Sequence, residues 1–218
     1  MKNLTLTVRV ALTLLGLTLV AVPRDAAAFR MIQNTSVGRT SAGAAVACNN
    51  ATGFAHWANS AISWYHNTGG QGAGKQTALQ NAMSAWTNVG GASHSLSYAG
   101  TTTSGFSTDG RNTILWARGN GCNGSCLAIT ALVLASGQVI TETDISFSSR
   151  YTWNTNGSNY DVEAVAAHEI GHTLGIHHTE LTSTPRPTMY AAYFGTTGQT
   201  LESDDVAALQ CSQSRYPL

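Results

Sequence analysis

The chain has 218 residues, of which 10% are charged, and its 11 lysine and arginine residues equal its 11 aspartate and glutamate residues in number. Such a balance excludes the strongly basic surface that nucleic-acid binding requires, so we expect no nucleic-acid partner. The length suits one domain with a sizeable apolar core.

The first 28 residues have the pattern of a secretory signal peptide. Lys2 and Arg9 supply positive charge, residues 10–22 form an apolar run, and three alanines at 26–28 offer a small-residue cleavage site. We predict cleavage before Phe29, which gives a secreted protein, extracellular or periplasmic. The apolar run is too short to span a bilayer, so we expect no membrane partner either.

The mature chain is expected to hold one α+β domain at residues 60–218, preceded by an arm at 29–59. The weak pattern of the arm fits either a short pro-segment or a segment wrapped on the domain. Alternating apolar residues predict a strand at 62–66, and apolar residues at helical spacing predict a helix at 74–89. Further strands are predicted between glycine-rich turns at 95–99, 113–117, 127–134 and 140–147. This order of elements predicts a twisted mixed sheet with helices.

Two more helices are predicted toward the C-terminus. The first begins after Asp161, whose side chain can cap it, and its apolar side extends to Leu174. The second is predicted at 202–210, with Ser203 as its cap.

The first of these helices carries the motif His-Glu-x-x-His-x-x-Gly-x-x-His, from His168 to His178. His168 and His172 are four residues apart, so they lie on the same face, one turn apart. A catalytic zinc ion has three protein ligands and one open position, and His178 can be the third ligand if the chain turns at Gly175, where glycine permits a positive φ. Glu169 then lies beside the metal without binding it. We predict one catalytic Zn2+ with the three histidines as ligands and Glu169 as the catalytic residue.

Four cysteines, an even number in an exported chain, predict two disulfides. Cys122 and Cys126 bound a tight loop whose ends can meet, which pairs them and leaves Cys48 for Cys211. A zinc site formed by all four is the alternative, although the spacing lacks a pair of Cys-x-x-Cys motifs.

These motifs resemble those of the matrixins, a branch of the metzincin zinc proteases, over residues 62–216. Pro-Thr-Met-Tyr at 187–190 is similar to the family's Met-turn, whose methionine packs beneath the metal. The segment 201–206 is similar to the family's C-terminal helix with its paired aspartates, here Asp204 and Asp205, one of which typically anchors the Met-turn. The resemblance implies a metzincin-like catalytic domain, with an active-site helix and a C-terminal helix beside the mixed sheet.

The chain departs from many animal matrixins at their second metal sites. Where those proteins have a structural-zinc histidine in the sequence Leu-Ala-His-Ala, this chain has Ile129, so we expect no structural zinc. The calcium-ligand cluster of that group is not recognisable around residues 144–150, which leaves calcium binding open.

The resemblance implies a secreted zinc-dependent endopeptidase in which Glu169 accepts a proton from the zinc-bound water. The implied partner is a protein or peptide substrate, extended along residues 127–130, and we expect a monomer. The segment 179–193 is expected to wall the specificity pocket. His177 is set aside as a ligand because the Gly-x-x-His spacing selects His178. Two alternatives remain: a secreted zinc-binding recognition domain without turnover, and a zinc hydrolase of non-peptide amides.

Overall fold

The computed structural model describes residues 28–34, 36–41, 43–117 and 125–218, so the predicted signal peptide lies outside it except for residue 28. Within these ranges the chain forms eleven strands and three α-helices. The strands are β1 (Met31–Gln33), β2 (Gly38–Thr40), β3 (Ala44–Val46), β4 (His56–Trp57), β5 (Ala61–Asn67), β6 (Ser95–Thr102), β7 (Thr113–Ala117), β8 (Ala128–Leu134), β9 (Val139–Ser148), β10 (Trp153–Asn154) and β11 (Tyr160–Asp161). The helices are α1 (Gln76–Thr87), α2 (Val162–Thr173) and α3 (Ser203–Arg215).

The main sheet is mixed, as predicted, with the strand order β2-β8-β9-β7-β5-β6 and with β4 paired to β9. The strands β5, β6, β7 and β9 run parallel to one another, and β8 pairs antiparallel with β9. A short 3₁₀ turn at Ser136–Gln138 joins β8 to β9, and such a tight connection permits only antiparallel pairing. The α+β fold class is therefore confirmed.

The apolar core lies between the sheet and the helices α1 and α2. In β5, Ile62 and Trp64 are buried while Ser63 is exposed, the alternation of a strand with one face on a core. The side chain of Trp86 in α1 is buried, and its indole N–H donates to the carbonyl of Ala167 in α2 at 2.8 Å. This contact fixes α2, which carries the histidine motif, against α1.

Of the two N-terminal helix caps predicted from the sequence, for α2 and α3, one is correct. Asp161 caps α2 as predicted, because its carboxylate accepts a hydrogen bond from the N–H of Ala164 at 3.0 Å. The prediction that Ser203 caps α3 is wrong, because the N-cap is Glu202. The carboxylate of Asp205 accepts the backbone N–H of Glu202 at 2.8 Å, which forms a reciprocal capping box.

The segment before β4 packs against the domain. Met31 is fully buried, β1 pairs with β3, and the N–H of Ile32 donates to the carbonyl of Gly175 just after α2. The predicted disulfide between Cys48 and Cys211 is present, with the two Cα atoms 6.3 Å apart, and it joins this segment to α3.

Cys126 is also disulfide-bonded, and its predicted partner Cys122 lies outside the described residues. No helix in the described part of the chain is long and apolar enough to cross a membrane.

Candidate metal centre

Three histidines from α2 and the following loop come together at one point. One ring nitrogen from each of His168, His172 and His178 lies within 4.8 Å of the other two. The Nε2 atoms of His172 and His178 are 3.2 Å apart. Two nitrogens bound to one tetrahedral zinc ion at about 2.0–2.1 Å would be about 3.3 Å apart, so this spacing fits a shared ion.

Hydrogen bonds to carbonyl groups orient two of these rings. Nδ1 of His168 lies 2.7 Å from the carbonyl oxygen of Thr188, and Nδ1 of His172 lies 2.7 Å from that of Ile176. A carbonyl only accepts hydrogen bonds, so each Nδ1 carries the proton and each Nε2 keeps a lone pair for a metal.

The three imidazoles are also held in the neutral form that binds metals. Burial lowers the pKa of His168, and burial followed by the neighbouring histidines lowers the pKa of His172 well below its usual value. Burial, followed by the charges of His168 and His177, lowers the pKa of His178 to about 4. At neutral pH all three rings can therefore donate a lone pair.

The turn between His172 and His178 depends on Gly175, which has a φ of +83°. A Cβ atom at this position would also collide with the carbonyl oxygen of Ala55. The predicted positive φ is therefore present, and the close approach of Ala55 is a second reason for glycine.

Met189 packs against α2 beside Gly171, the residue that precedes His172. It is 1% exposed, and a Cβ atom built on Gly171, which precedes His172 in α2, would overlap its sulfur atom. The absence of a side chain at Gly171 thus admits Met189 to the helix surface. This packing agrees with the Met-turn expected for residues 187–190.

Asp205 holds the Met-turn in place. The side chain is 1% exposed, and its two carboxylate oxygens accept the backbone N–H groups of Thr188 at 2.8 Å and Met189 at 3.0 Å. The neighbouring Asp204 accepts a hydrogen bond from the hydroxyl of Thr179 at 2.6 Å. The paired aspartates therefore fix both ends of the segment that follows His178.

Glu169 is 6% exposed and contacts a residue that the sequence did not single out. The hydroxyl of Thr130 in β8 donates to Oε2 of Glu169 at 2.6 Å. Burial raises the pKa of Glu169 to about 7, although the hydrogen bond from Thr130 acts in the opposite direction. Every residue of β8 except Thr130 is apolar, so the sequence has no alternation that could predict this contact.

A cavity of about 660 Å³ opens beside the histidines. Ala164, at the start of α2, is one of its lining residues. Three further regions line the cavity. The segment that carries β1 to β3 contributes Ile32, Ser41 and Gly43, and the start of β8 contributes Leu127, Ala128 and Thr130. The chain after the Met-turn contributes Tyr190, Ala191, Ala192, Tyr193, Phe194 and Gly198, and Tyr160 and Val165 also lie in the wall. The segment expected to wall a specificity pocket, 179–193, thus contributes its C-terminal end.

His177 is half-buried and lines the same cavity. Its ring lies 5.3 Å from that of His178, but it does not belong to the group whose nitrogens converge. Groups of three or more His, Cys, Asp or Glu side chains can hold a metal ion when their ligand atoms lie close together. Among the described residues, His168, His172 and His178 form the only such group.

Comparisons with known proteins agree with this geometry. A family model described as Matrixin matches residues 56–212, more than two thirds of the chain. The chain is 43% identical to karilysin of Tannerella forsythia over 65 residues, 40% identical to the interstitial collagenase of Equus caballus over 68 residues, and 38% identical to the neutrophil collagenase of Homo sapiens over 69 residues.

These alignments cover 30–31% of this chain but only 13–14% of each relative. The family model, in contrast, extends from β4 into α3 and includes the histidine motif, the Met-turn and the aspartates that anchor it. The chain belongs to the matrixin family.

Proposed function

We propose that this chain is a zinc-dependent endopeptidase in which His168, His172 and His178 bind one catalytic zinc ion. The observation that carries the proposal is the convergence of three neutral imidazoles, two of them with their Nδ1 protons bound to carbonyl groups. Membership of the matrixin family supports the same chemistry, and two of the similar proteins are named as collagenases.

Among the described residues, the donor set fits zinc and leaves a fourth position open for the reaction. Three nitrogen ligands with no fourth side chain are typical of catalytic zinc sites, whereas structural sites have four protein ligands. When bound there, zinc supplies Lewis acidity, which makes water a stronger acid and polarises a peptide carbonyl. We expect one zinc ion per chain, because Ile129 replaces the histidine of a second site, and we leave calcium binding open.

Glu169 is the residue that moves protons in this proposal. Its carboxylate lies on α2 one residue after His168, and Thr130 holds one of its oxygens at 2.6 Å. From there Glu169 would accept a proton from the attacking water and pass it to the amine that leaves. Thr130 is a positioning residue, because it contacts Glu169 and keeps one carboxylate oxygen in a fixed direction.

The substrate would be a protein or peptide in an extended conformation. The edge of β8 near Ala128 and Thr130 borders the cavity, and a peptide backbone can pair with such an edge as an additional strand. Val165, Tyr193 and Phe194 give the cavity an apolar part that suits a hydrophobic side chain after the cut.

The mature chain is proposed to begin at Phe29 after removal of a signal peptide, residues 1–28, during export. The backbone nitrogen of Phe29 lies 3.1 Å from a carboxylate oxygen of Asp204, in a buried contact. Cleavage before Phe29 would turn this N–H into an ammonium group paired with a carboxylate, a stronger interaction than a neutral hydrogen bond. Because Met31 and Ile32 are buried, we propose that residues 29–59 remain with the catalytic domain, residues 60–218, as an arm. N-terminal sequencing of the exported protein tests this boundary.

The proposed activity is tested with the protein that begins at Phe29 and its Glu169→Ala variant. Zinc is measured by metal analysis, and both proteins are assayed on casein, a peptide library and small non-peptide amides. We expect both to bind one zinc ion and only the wild type to cut peptides. If the wild type binds zinc but cuts only the peptides that Glu169→Ala also cuts, the endopeptidase proposal is wrong. If the wild type cleaves only the non-peptide amides, the protein is another kind of zinc hydrolase. If it turns over none of these substrates, it is a recognition domain.

A further inference from the structure

The cavity beside the histidines extends along α2 toward the start of this helix. Its lining includes His168 and Glu169, and also Ala164 and Val165, each of which precedes one of them by four residues. Residues four apart lie on the same helix face, about 6 Å apart along the axis. One part of the cavity therefore reaches from the proposed zinc site to the first turn of α2.

The ring of Phe194 lies at this end of the cavity. Phe194, Gly198 and Ala164 all line the cavity, and they meet at one point. A Cβ atom built on Gly198 would lie 3.5 Å from Cβ of Ala164 and 3.5 Å from Cζ of Phe194. Ala164 is 3% exposed and Gly198 is buried, so the tip of the ring points toward the protein interior rather than toward solvent.

A second aromatic side chain contacts Phe194 from the side of the Met-turn. The rings of Tyr190 and Phe194 meet edge to face, with their centroids 6.2 Å apart. The guanidinium group of Arg186 lies over the ring of Tyr190, 4.9 Å from its centroid. Phe194 is thus held between Tyr190 and Gly198, one residue beyond the segment 179–193 that was expected to wall the pocket.

The turn after Phe194 brings Gly198 back to the ring. Gly195 has a φ of +89° and a ψ of −162°, a conformation that is essentially restricted to glycine. A short 3₁₀ turn at Thr196–Gln199 follows, in which the N–H of Gly198 donates to the carbonyl of Gly195 at 3.2 Å. The local sequence therefore determines where the ring of Phe194 lies.

Hydrogen bonds fasten this turn to the start of α2. The hydroxyl of Tyr193 accepts the N–H of Asp161 at 3.0 Å and donates to the carbonyl of Asn159 at 3.2 Å. The side-chain amide of Gln199 donates to the carboxylate of Asp161, the N-cap of α2, at 2.9 Å. The segment that carries Phe194 is thus fixed on both sides, and the wall of the cavity is preformed.

We infer that Phe194 limits the size of the substrate side chain that follows the cut, an inference that rests on the proposed endopeptidase function. That side chain would enter the apolar part of the cavity, which Val165 and Tyr193 also line. To extend further, it would have to displace a ring that is packed against Tyr190 and Gly198. Phe194 is therefore a specificity-determining residue, and Tyr193 is a positioning residue that holds the segment carrying it.

This arrangement favours substrates with leucine or methionine after the cut. Such a side chain fills an apolar pocket and gains the free energy of burial. Tryptophan is larger, and its ring system would have to overpack a wall that the hydrogen bonds of Tyr193 and Gln199 hold in place. The substrate class is therefore proteins and peptides cut before an aliphatic side chain of moderate size.

Three variants change the end of the pocket. Phe194→Ala removes the ring, and Phe194→Leu is the milder change that decides the question if the alanine variant does not fold. Tyr193→Phe keeps its own ring but loses both hydroxyl hydrogen bonds. Thr196→Ala is the matched control, because Thr196 is exposed, lies in the same turn and is not among the lining residues of the cavity.

The test uses peptides that differ only in the residue after the cut, which is leucine, methionine or tryptophan. For the wild type and Thr196→Ala, we expect kcat/KM to be at least about tenfold lower for tryptophan than for leucine. Phe194→Ala should remove this difference, and Phe194→Leu should reduce it. Tyr193→Phe should reduce it by up to about fivefold, the equivalent of one hydrogen bond, whereas a merely structural role would lower cleavage of all three peptides alike.

Binding of the same peptides is measured by fluorescence anisotropy with proteins that also carry Glu169→Ala, and zinc affinity is measured for every variant. Binding should show the same order of side chains without turnover, and zinc affinity should not change.

Equal cleavage of the leucine and tryptophan peptides by the wild type would overturn the inference, and so would an unchanged ratio in folded Phe194 variants. Either result leaves the proposed function intact, because peptides are still cut. If no peptide is cut by any of the proteins, the proposed function fails, and the anisotropy series then decides whether Phe194 limits binding.

Discussion

The substitution Gly171→Ala tests the packing of Met189 against α2. A Cβ atom on Gly171 would overlap the sulfur of Met189 and lie 2.8 Å from Cζ2 of Trp86. Neither neighbour can move freely. The indole of Trp86 is hydrogen-bonded to Ala167, and the side chain of Met189 is enclosed by the protein, since this residue is only 1% exposed.

Two effects of this substitution oppose each other. Alanine is a better helix former than glycine by about 0.8–1 kcal/mol, which would stabilise α2. Overpacking a core costs about 1–3 kcal/mol, and both contacts of the new methyl group would be shorter than real Cβ contacts. We expect overpacking to dominate and to leave a net destabilisation of about 1–2 kcal/mol, which lowers Tm by about 2–8 °C for a chain of this size.

The assay is thermal unfolding with excess zinc, together with a zinc titration against a competing chelator. Gly171→Ala should lower both Tm and zinc affinity, because displacement of Met189 disturbs the surface that supports His168 and His172. Gly198→Ala is the control, since its Cβ would meet Ala164 at an ordinary 3.5 Å. A Tm equal to or above that of the wild type, with unchanged zinc affinity, would refute the packing argument.

Further predictions concern the metal ligands, the base and the Met-turn anchor. His178→Ala should reduce zinc affinity by at least about tenfold whereas His177→Ala should change it little, and chelator competition distinguishes the two. In metal-free protein the pKa of Glu169 is raised by burial to about 7, so the ionised form is disfavoured on folding and stability is lost as pH rises from about 4.5 to 7. Glu169→Gln removes this loss, so its Tm should exceed that of the wild type increasingly over that range, and a constant difference would contradict the assignment. Asp205→Ala should destabilise the protein by about 2–4 kcal/mol in urea unfolding, because the buried N–H groups of Thr188 and Met189 lose their acceptor.

The sequence was most informative where local chemistry determines structure. The cap at Asp161, the turn at Gly175 and the histidine spacing each depend on residues close together in the chain. The predicted cap and turn are present, and the three histidines lie together. Apolar segments between glycine-rich turns located β5 to β9 of the main sheet for the same reason, but not β2 or β4.

Contacts between distant segments could not be predicted in this way. The arm has a weak pattern because strands of three residues, such as β1 and β2, are too short to show a period. The contact of Thr130 with Glu169 depends on how β8 lies against α2. The prediction of the α3 cap failed for a different reason. Serine is a more common N-cap than glutamate, but the reciprocal hydrogen bonds of Glu202 and Asp205 outweigh that preference.

The most direct test of the central claim is a titration of peptide cleavage with zinc. Protein stripped of metal by a chelator is supplied with increasing zinc, and cleavage of a fixed peptide is measured at each step. Activity should rise from zero to a plateau at one equivalent per chain, while Glu169→Gln should bind the same equivalent and lose about 10²–10⁴-fold in rate. Full cleavage without zinc, a plateau that requires two equivalents, or an unimpaired Glu169→Gln variant would contradict the account.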